Sequence, residues 1–129
     1  MVTIELPTTQ ARKLISSANL SWIDNLYNAS SNLNLENQTN ETNIVVSEVV
    51  SEPTGFTNDN FKRWNFVVEV QIYFELNNED LDVMNCELQL ASLFTDNGWT
   101  VSRSMANIND PDTGQVTKTF YFNKIGGIE

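Results

Sequence analysis

The feature that most constrains this chain is the alternation of apolar and polar side chains in residues 62–76, KRWNFVVEVQIYFEL. Every even position from 64 to 76 is apolar: Trp64, Phe66, Val68, Val70, Ile72, Phe74 and Leu76. A period of two is typical of a β-strand that buries one face. The odd positions are polar except for Val67 and Tyr73. Because a slip of one residue would bury the polar face, the pattern also determines the register of the strand.

The predicted strand is longer than most. Fully extended, residues 62–76 would span about 50 Å at ~3.3 Å per residue, whereas an ordinary strand has roughly 5 to 6 residues. We therefore expect one of two arrangements. Either the strand bends within a long hairpin, or one of its ends leaves the domain and contacts another molecule. In both cases the polar face meets water or a partner rather than a second sheet.

Two short elements are predicted near the N-terminus. Residues 10–18, QARKLISSA, are typical of a short helix, and Thr8 or Thr9 can cap it. The apolar residues around 23–27 fit a helical turn as well as an irregular strand, and at this length propensity cannot separate the two. We favour a strand or extended segment there.

A polar segment and a strand come next. Residues 30–43, SSNLNLENQTNETN, are rich in Asn and have no apolar period, which predicts a surface loop. Residues 44–50, IVVSEVV, predict a β-branched strand that ends at a turn in residues 52–55, EPTG. The simplest position for this strand is antiparallel to the long strand.

A helix is predicted for residues 79–97, since Asn77 or Asn78 can cap its start and Gly98 can take the C′ position. Its apolar residues form two adjoining stripes: Leu81, Met84, Leu88 and Ala91 in one, and Val83, Leu90 and Phe94 in the other. Packing against one sheet needs less apolar surface, so a second element or another subunit should cover the rest. Leu88 is expected in the core, where Leu88→Ala would cost about 2–5 kcal/mol.

The C-terminal part predicts a strand at residues 99–105, a connecting loop at 106–114, a strand at 116–125 and a flexible tail at 126–129. The fold class is therefore α+β, with a single mixed, mainly antiparallel sheet. A long central strand lies in that sheet, one main helix crosses one face, and a short helix precedes them. By length, residues 1–129 form one domain.

Composition excludes several classes of function. The chain has one Cys and no His, so it lacks the usual zinc ligand sets and any His-based acid, base or nucleophile pair. Its formal net charge of −10 argues against a surface that grips phosphates. We find no apolar run of membrane-spanning length and no secretory signal, which predicts a protein that stays in the cytoplasm or in a particle assembled there.

Possible chemical sites each have a simpler structural explanation. Residues 110–114, DPDTG, could bind calcium, but most of an EF-hand pattern is missing and a hairpin turn is favoured. The acids of residues 79–82 suit a helix N-terminus. Cys86 is expected to be a buried structural thiol. The three tryptophans, Trp22, Trp64 and Trp99, are expected in the core or at an interface. We thus predict no enzyme, metal or cofactor.

Three stretches of the chain carry a resemblance to a known family. They are LPTTQARKLISSANLSWIDNLYN at residues 6–28, LFTDNGWTV at 93–101 and DPDTGQVTKTFYFNKIGG at 110–127. Together they resemble a small family of tail-module proteins from siphophages of low-GC Gram-positive bacteria. The order of elements is also similar to that of the tail terminators of long-tailed phages.

The resemblance implies a structural protein of the virion tail that is assembled in the host cytoplasm. It implies a homo-oligomeric ring, expected to be a hexamer, at the head-proximal end of the tail tube. Its partners would be the tail tube protein and the head-completion protein, with DNA passing through without specific binding and no membrane involved. The acidic composition agrees with such a channel, because an acidic wall repels the phosphates of sliding DNA.

The odd face of the long strand is our first choice for an interface in that ring. The residues concerned are Glu69, Gln71, Tyr73 and Glu75. Other readings remain open: another minor tail component or head–tail adaptor, or an acidic inhibitor that mimics DNA. The mimic would need acids arrayed on one surface, whereas the acids here are dispersed along the sequence.

Overall fold

The computed structural model describes residues 5–28, 39–57 and 60–127. Within these ranges the elements are α1 (Pro7–Ala18), β1 (Asn25–Asn28), β2 (Asn43–Thr57), β3 (Asn60–Tyr73), α2 (Val83–Thr95), β4 (Thr100–Ser104), β5 (Ile108–Asn109) and β6 (Val116–Gly127). The strands form one sheet in the order β1-β2-β3-β6-β4, and β5 pairs with β6. Only the β1–β2 pair among these is parallel. The predicted α+β fold with a mixed, mainly antiparallel sheet is confirmed.

The long strand has the predicted register. Five successive even-numbered residues, four in β3 and one directly after it, are buried: Phe66, Val68, Val70, Ile72 and Phe74. The strand forms a long hairpin with β2, whose pairing runs from Asn43 opposite Tyr73 to Thr57 opposite Asn60. Of the two arrangements expected for so long a strand, the structure therefore adopts the hairpin.

The turn predicted at residues 52–55 is wrong. These residues lie inside β2, where Pro53 pairs with Trp64 and Gly55 has a φ of 66°. Beyond Val46, β2 has no second neighbouring strand within the described ranges, and a proline is tolerated on such an edge because its missing N–H is not needed there. A register shift at Val49 further interrupts this edge.

Both helices pack on the face of the sheet that carries the even residues of β3, which we call the inner face. Ala11 and Ile15 of α1 and Leu90 and Phe94 of α2 belong to the same buried cluster as those strand residues. The Phe94 ring stacks on Phe122 of β6, with ring centroids 4.0 Å apart and planes 4° apart. The described part of the chain thus forms two layers, a sheet and the two helices on its inner face.

The first helix begins earlier than predicted and without a side-chain cap. Pro7 occupies the first turn, where its missing N–H costs nothing, and the capping position is Leu6 rather than Thr8 or Thr9. The helix ends at Asn19, whose left-handed backbone conformation, with a φ of 49°, closes the last turn.

The second helix is shorter than predicted, and of its two predicted apolar stripes it buries the one that contains Leu90 and Phe94. It begins after Asp82, whose carboxylate accepts a hydrogen bond of 3.1 Å from the Asn85 N–H, so neither Asn77 nor Asn78 is the cap. The prediction that Leu88 lies in the core is wrong, since 54% of it is exposed. The buried face instead includes Glu87, whose Oε1 accepts a hydrogen bond of 2.6 Å from the Asn107 side chain.

Two features of the C-terminal part differ from the predictions. The loop predicted at residues 106–114 contains the short strand β5. The supposed tail begins inside β6, because Gly126 and Gly127 pair with Trp64 and Arg63 of β3. Of the predicted loop at 30–43 and the tail at 126–129, residues 30–38 and 128–129 lie outside the described residues.

A group of polar residues, of which Thr42, Asn43 and Gln115 are buried, connects the segments at the end of the sheet where β3 stops. We call Asp24, Thr42, Asn43, Glu75 and Gln115 the polar latch. The Thr42 N–H donates to Asp24 Oδ2 at 2.8 Å, and the Glu75 N–H donates to Thr42 Oγ1 at 3.2 Å. Gln115 Nε2 donates to the carbonyls of Glu41 and Phe74, at 3.3 and 3.2 Å. The latch thereby joins the segment before β2 to the ends of β3 and β6.

Candidate interface surfaces

The face of the sheet opposite the helices, which we call the outer face, is open. No helix in the described part of the chain packs on it, because both helices bury their apolar residues in the inner cluster. Its side chains form rows across the strands. One row runs through Ser47, Glu69, Tyr121 and Arg103, and the next runs through Val45, Gln71 and Thr119. A flat, mixed polar and apolar surface of this kind can serve as an interface.

Three of the four predicted interface residues lie on this outer face. Glu69, Gln71 and Tyr73 alternate with the buried residues of β3, and all three are half-buried. Glu75 lies beyond the end of β3, and its Oε1 accepts a hydrogen bond of 3.5 Å from the Thr42 hydroxyl. Glu75 therefore belongs to the polar latch rather than to the strand surface.

The environment of Tyr73 favours its neutral form. Burial raises the pKa of its phenol, and the negative charges of Asp110 and Glu69 raise the pKa further. Tyr73 therefore offers the outer face a hydroxyl that can donate a hydrogen bond across the physiological range.

The outer face is mixed in charge. Glu69 is separated from Arg103 by Tyr121 alone in its row, and Glu52 and Arg63 occupy the same face nearer the hairpin end. A surface that mimics DNA needs negative charge without such interruptions, so the outer face does not suit that role.

The residues considered as chemical sites lie in the turn before β6 and in the segment before α2. Residues 110–114 form the turn between β5 and β6, in which Asp110 Oδ2 accepts hydrogen bonds of 2.9 Å from both the N–H and the hydroxyl of Thr113. In the described residues no group of three or more His, Cys, Asp or Glu side chains could hold a metal ion. Glu79 and Asp80 are exposed in the segment before α2.

The tryptophans take part in packing. Trp99 is buried edge-on against Phe94, with ring centroids 5.6 Å apart. Trp22 stacks on Phe74 and donates a hydrogen bond of 2.8 Å to Gln89 Oε1. Trp64 is half-buried and donates one of 2.7 Å to Ser51 Oγ. Their predicted role in packing is confirmed.

Cys86 is buried against the sheet. Burial raises the pKa of its thiol above the ordinary value of 9.0, and the nearby charges of Asp82 and Glu87 raise it further. A thiol held in its protonated form is a poor nucleophile, because the thiolate is the reactive species. The predicted structural role of Cys86 agrees with this environment.

We expect Cys86 to resist alkylation in the native protein. At pH 8, iodoacetamide should label it at least about a hundredfold more slowly than in denaturant, because the folded thiol is both covered and protonated. Mass spectrometry over time measures the ratio. Comparable rates in the two conditions would show that Cys86 is accessible and the placement of α2 is wrong.

Sequence analysis missed a basic surface around α1. Arg12, Lys13 and Lys124 are three of the seven Lys and Arg residues in the chain, and they line two neighbouring clefts, of about 360 and 290 Å³, beside this helix. The available signal was local charge, since α1 carries two adjacent cations and no acid in a strongly acidic chain.

These features define a two-layer α+β protein with helices on one face of its sheet and an open outer face. No helix in the described ranges is long and apolar enough to cross a membrane. The chain belongs to the family described as "Protein of unknown function (DUF806)", whose family model matches residues 5–126. No curated protein matches the chain.

Proposed function

We propose that this protein is a structural component of a phage tail, a tail terminator that forms a ring at the head-proximal end of the tail tube. The observation that carries the proposal is the open outer face, which spans the strands of a sheet whose other face carries both helices and the buried core. A ring subunit must contact its neighbours in the particle, and a broad surface with both polar and apolar side chains can serve as such a contact.

Two further observations support this proposal. The order of elements, with a first helix, a short strand, a long hairpin, a second helix and a C-terminal strand pair, agrees with the order that the sequence resemblance implies. The net charge of −10 suits a protein beside a DNA channel, because phosphates are repelled rather than held. We propose that the outer face contacts the tail tube protein and that the head-completion protein binds on the other side of the ring.

A charge reversal on the outer face tests the proposal. The double variant Glu69→Lys with Gln71→Lys changes two half-buried residues of β3 on the outer face. We expect the free energy of unfolding to change by less than about 0.5–1 kcal/mol, because surface substitutions usually have small effects. In phage that carry the variant gene, we expect infectious titre to fall at least about a hundredfold, with tails of irregular length or unattached heads and tails in electron micrographs.

Glu48→Lys is the control, since Glu48 is exposed but lies on the inner-face side of β2 opposite Val68. This control phage should assemble normally. Normal infectious particles from the double variant would remove the outer face from the mechanism. Normal particles from a complete deletion of the gene would refute the role in tail assembly itself.

A further inference from the structure

One end of α2 carries an exposed ridge that combines acids with apolar side chains. We call Glu79, Asp80, Asp82, Met84 and Leu88 the acidic ridge. All five are exposed, and the exposed fractions of Met84 and Leu88 are 62% and 54%. The segment 75–82, ELNNEDLD, contains four acids and no Lys or Arg. Two large apolar side chains within a charged border resemble the centre and rim of an interface.

The basic surface beside α1 has the complementary character. We call Arg12, Lys13, Leu14, Trp99 and Lys124 the basic cleft. Lys13, Leu14, Trp99 and Lys124 line a cleft of about 360 Å³. Lys124 Nζ lies 5.4 Å from the centre of the Trp99 ring, so a positive charge stands beside an apolar wall.

Two details show that the positive charge of this cleft is incompletely neutralised. The Nε of Arg12 is buried and has no hydrogen-bond partner within the described ranges. Lys13 pairs with Glu5, but both side chains of that pair are exposed to solvent, and exposed ion pairs contribute little to stability. Incoming carboxylates can therefore compete for Lys13 and interact with Arg12 and Lys124.

The two surfaces lie toward opposite ends of α2. The acidic ridge precedes the helix and covers its first turns, whereas Asn97 and Trp99 of the cleft wall follow its last turn. A helix of 13 residues is about 20 Å long, so the two surfaces of one molecule do not meet. Two different, complementary surfaces at opposite ends suit a head-to-tail contact between identical subunits.

We propose that the acidic ridge of one copy of this chain binds the basic cleft of the next copy. Met84 and Leu88 pack against Leu14 and the cleft wall, while Glu79 and Asp80 interact with Lys13 and Lys124. This inference names the self-contact of the ring and rests on the proposed function. The outer face then remains available for other proteins of the particle.

Sedimentation of purified protein tests the contact. The wild-type protein should self-associate at low salt, and raising NaCl from about 50 to about 500 mM should weaken the association, because the contact depends on opposite charges. A ridge variant, Glu79→Lys with Asp80→Lys, should weaken self-association at least tenfold. A cleft variant, Lys13→Glu with Ser17→Glu, should do the same, since Ser17 also lines the cleft. Asp82 is left unchanged because it caps α2.

Mixing the two variants gives the sharpest result. Each variant alone should associate at least tenfold more weakly than the wild type, but an equimolar mixture should recover the association. In the mixture, the unchanged ridge of one variant binds the unchanged cleft of the other, and the two charge-reversed surfaces bind each other. The control variant Glu48→Lys with Asp112→Lys makes the same charge change at two exposed sites elsewhere, and should associate like the wild type.

Several outcomes would overturn the proposed contact. These are a monomeric wild-type protein at low salt, a mixture of variants that stays monomeric, or a control that fails as the ridge variant does. Melting curves of all variants establish that they are folded. Failure of this experiment is distinct from failure of the proposed function, since the gene deletion is scored in phage and the self-contact is scored on purified protein.

Discussion

Phe94→Ala is expected to lower the free energy of unfolding by about 3–5 kcal/mol, the largest effect of any substitution considered. The Phe94 ring is fully buried, stacks on Phe122 at 4.0 Å and contacts Trp99 edge-on. Its removal leaves a cavity between α2 and β6 that these rigid rings cannot close. Urea unfolding followed by circular dichroism measures the loss.

Leu88→Ala is the matched control on the same helix. Because more than half of Leu88 is exposed, its truncation should change the free energy of unfolding of the monomer by about 0.5 kcal/mol or less. A large loss for Leu88→Ala together with a small loss for Phe94→Ala would mean that α2 is rotated about its axis relative to the structure described above.

Gln115→Leu is expected to lower the free energy of unfolding by about 2–3 kcal/mol. The substitution nearly preserves volume but removes the donor that serves the carbonyls of Glu41 and Phe74. A buried carbonyl that loses its hydrogen bond costs about 1–3 kcal/mol. Part of this loss is offset, because the Oε1 of Gln115 is buried without a hydrogen-bond partner in the described residues and the leucine removes it.

Hydrogen exchange locates the effect of Gln115→Leu. The Leu76 N–H donates to the Thr39 carbonyl at 2.8 Å, so it should lose protection together with the segment 39–42. Gln71→Leu, a glutamine on the outer face, is the control and should change neither stability nor exchange at Leu76 appreciably. Unchanged protection at Leu76 in Gln115→Leu would show that the polar latch does not depend on this side chain.

The sheet was the most predictable part of the fold. A strand that buries one face repeats every two residues, so the run from Trp64 to Phe74 determined both the strand and its inner face. Local sequence patterns gave the wrong prediction at the end of β2, because Pro53 and Gly55 are typical of turns. Whether a strand can contain them depends on whether another strand pairs with it at that point. Neighbouring strands are a property of the tertiary structure.

The orientation of α2 could not be predicted because it depends on a distant polar contact. Glu87 is 5% exposed, and a hydrogen bond from the side chain of Asn107, which lies in the β4–β5 connection, makes this burial tolerable. With Glu87 turned inward, Met84 and Leu88 turn outward despite their hydrophobicity. A count of apolar positions along the helix places them in the core.

The candidate interface could be predicted only where it depends on a local sequence pattern. Glu69, Gln71 and Tyr73 follow from the alternation within β3. Glu75 was assigned to the same face, but the strand ends before it and the Thr42 hydroxyl, from a different segment, contacts its carboxylate. The basic cleft combines residues from α1, the end of α2 and β6, and no short stretch of sequence brings these together.

The position of β6 has a consequence for the order of folding. The β2–β3 hairpin joins strands that are adjacent in sequence, so it can form as soon as both have been synthesised. In contrast, β6 is the last strand in the described chain and lies between β3 and β4, with Phe120 and Phe122 contributing to the core. Because Phe94 of α2 stacks on Phe122, this helix cannot complete its packing until β6 has left the ribosome, and the nascent chain exposes one long edge of β3 until then.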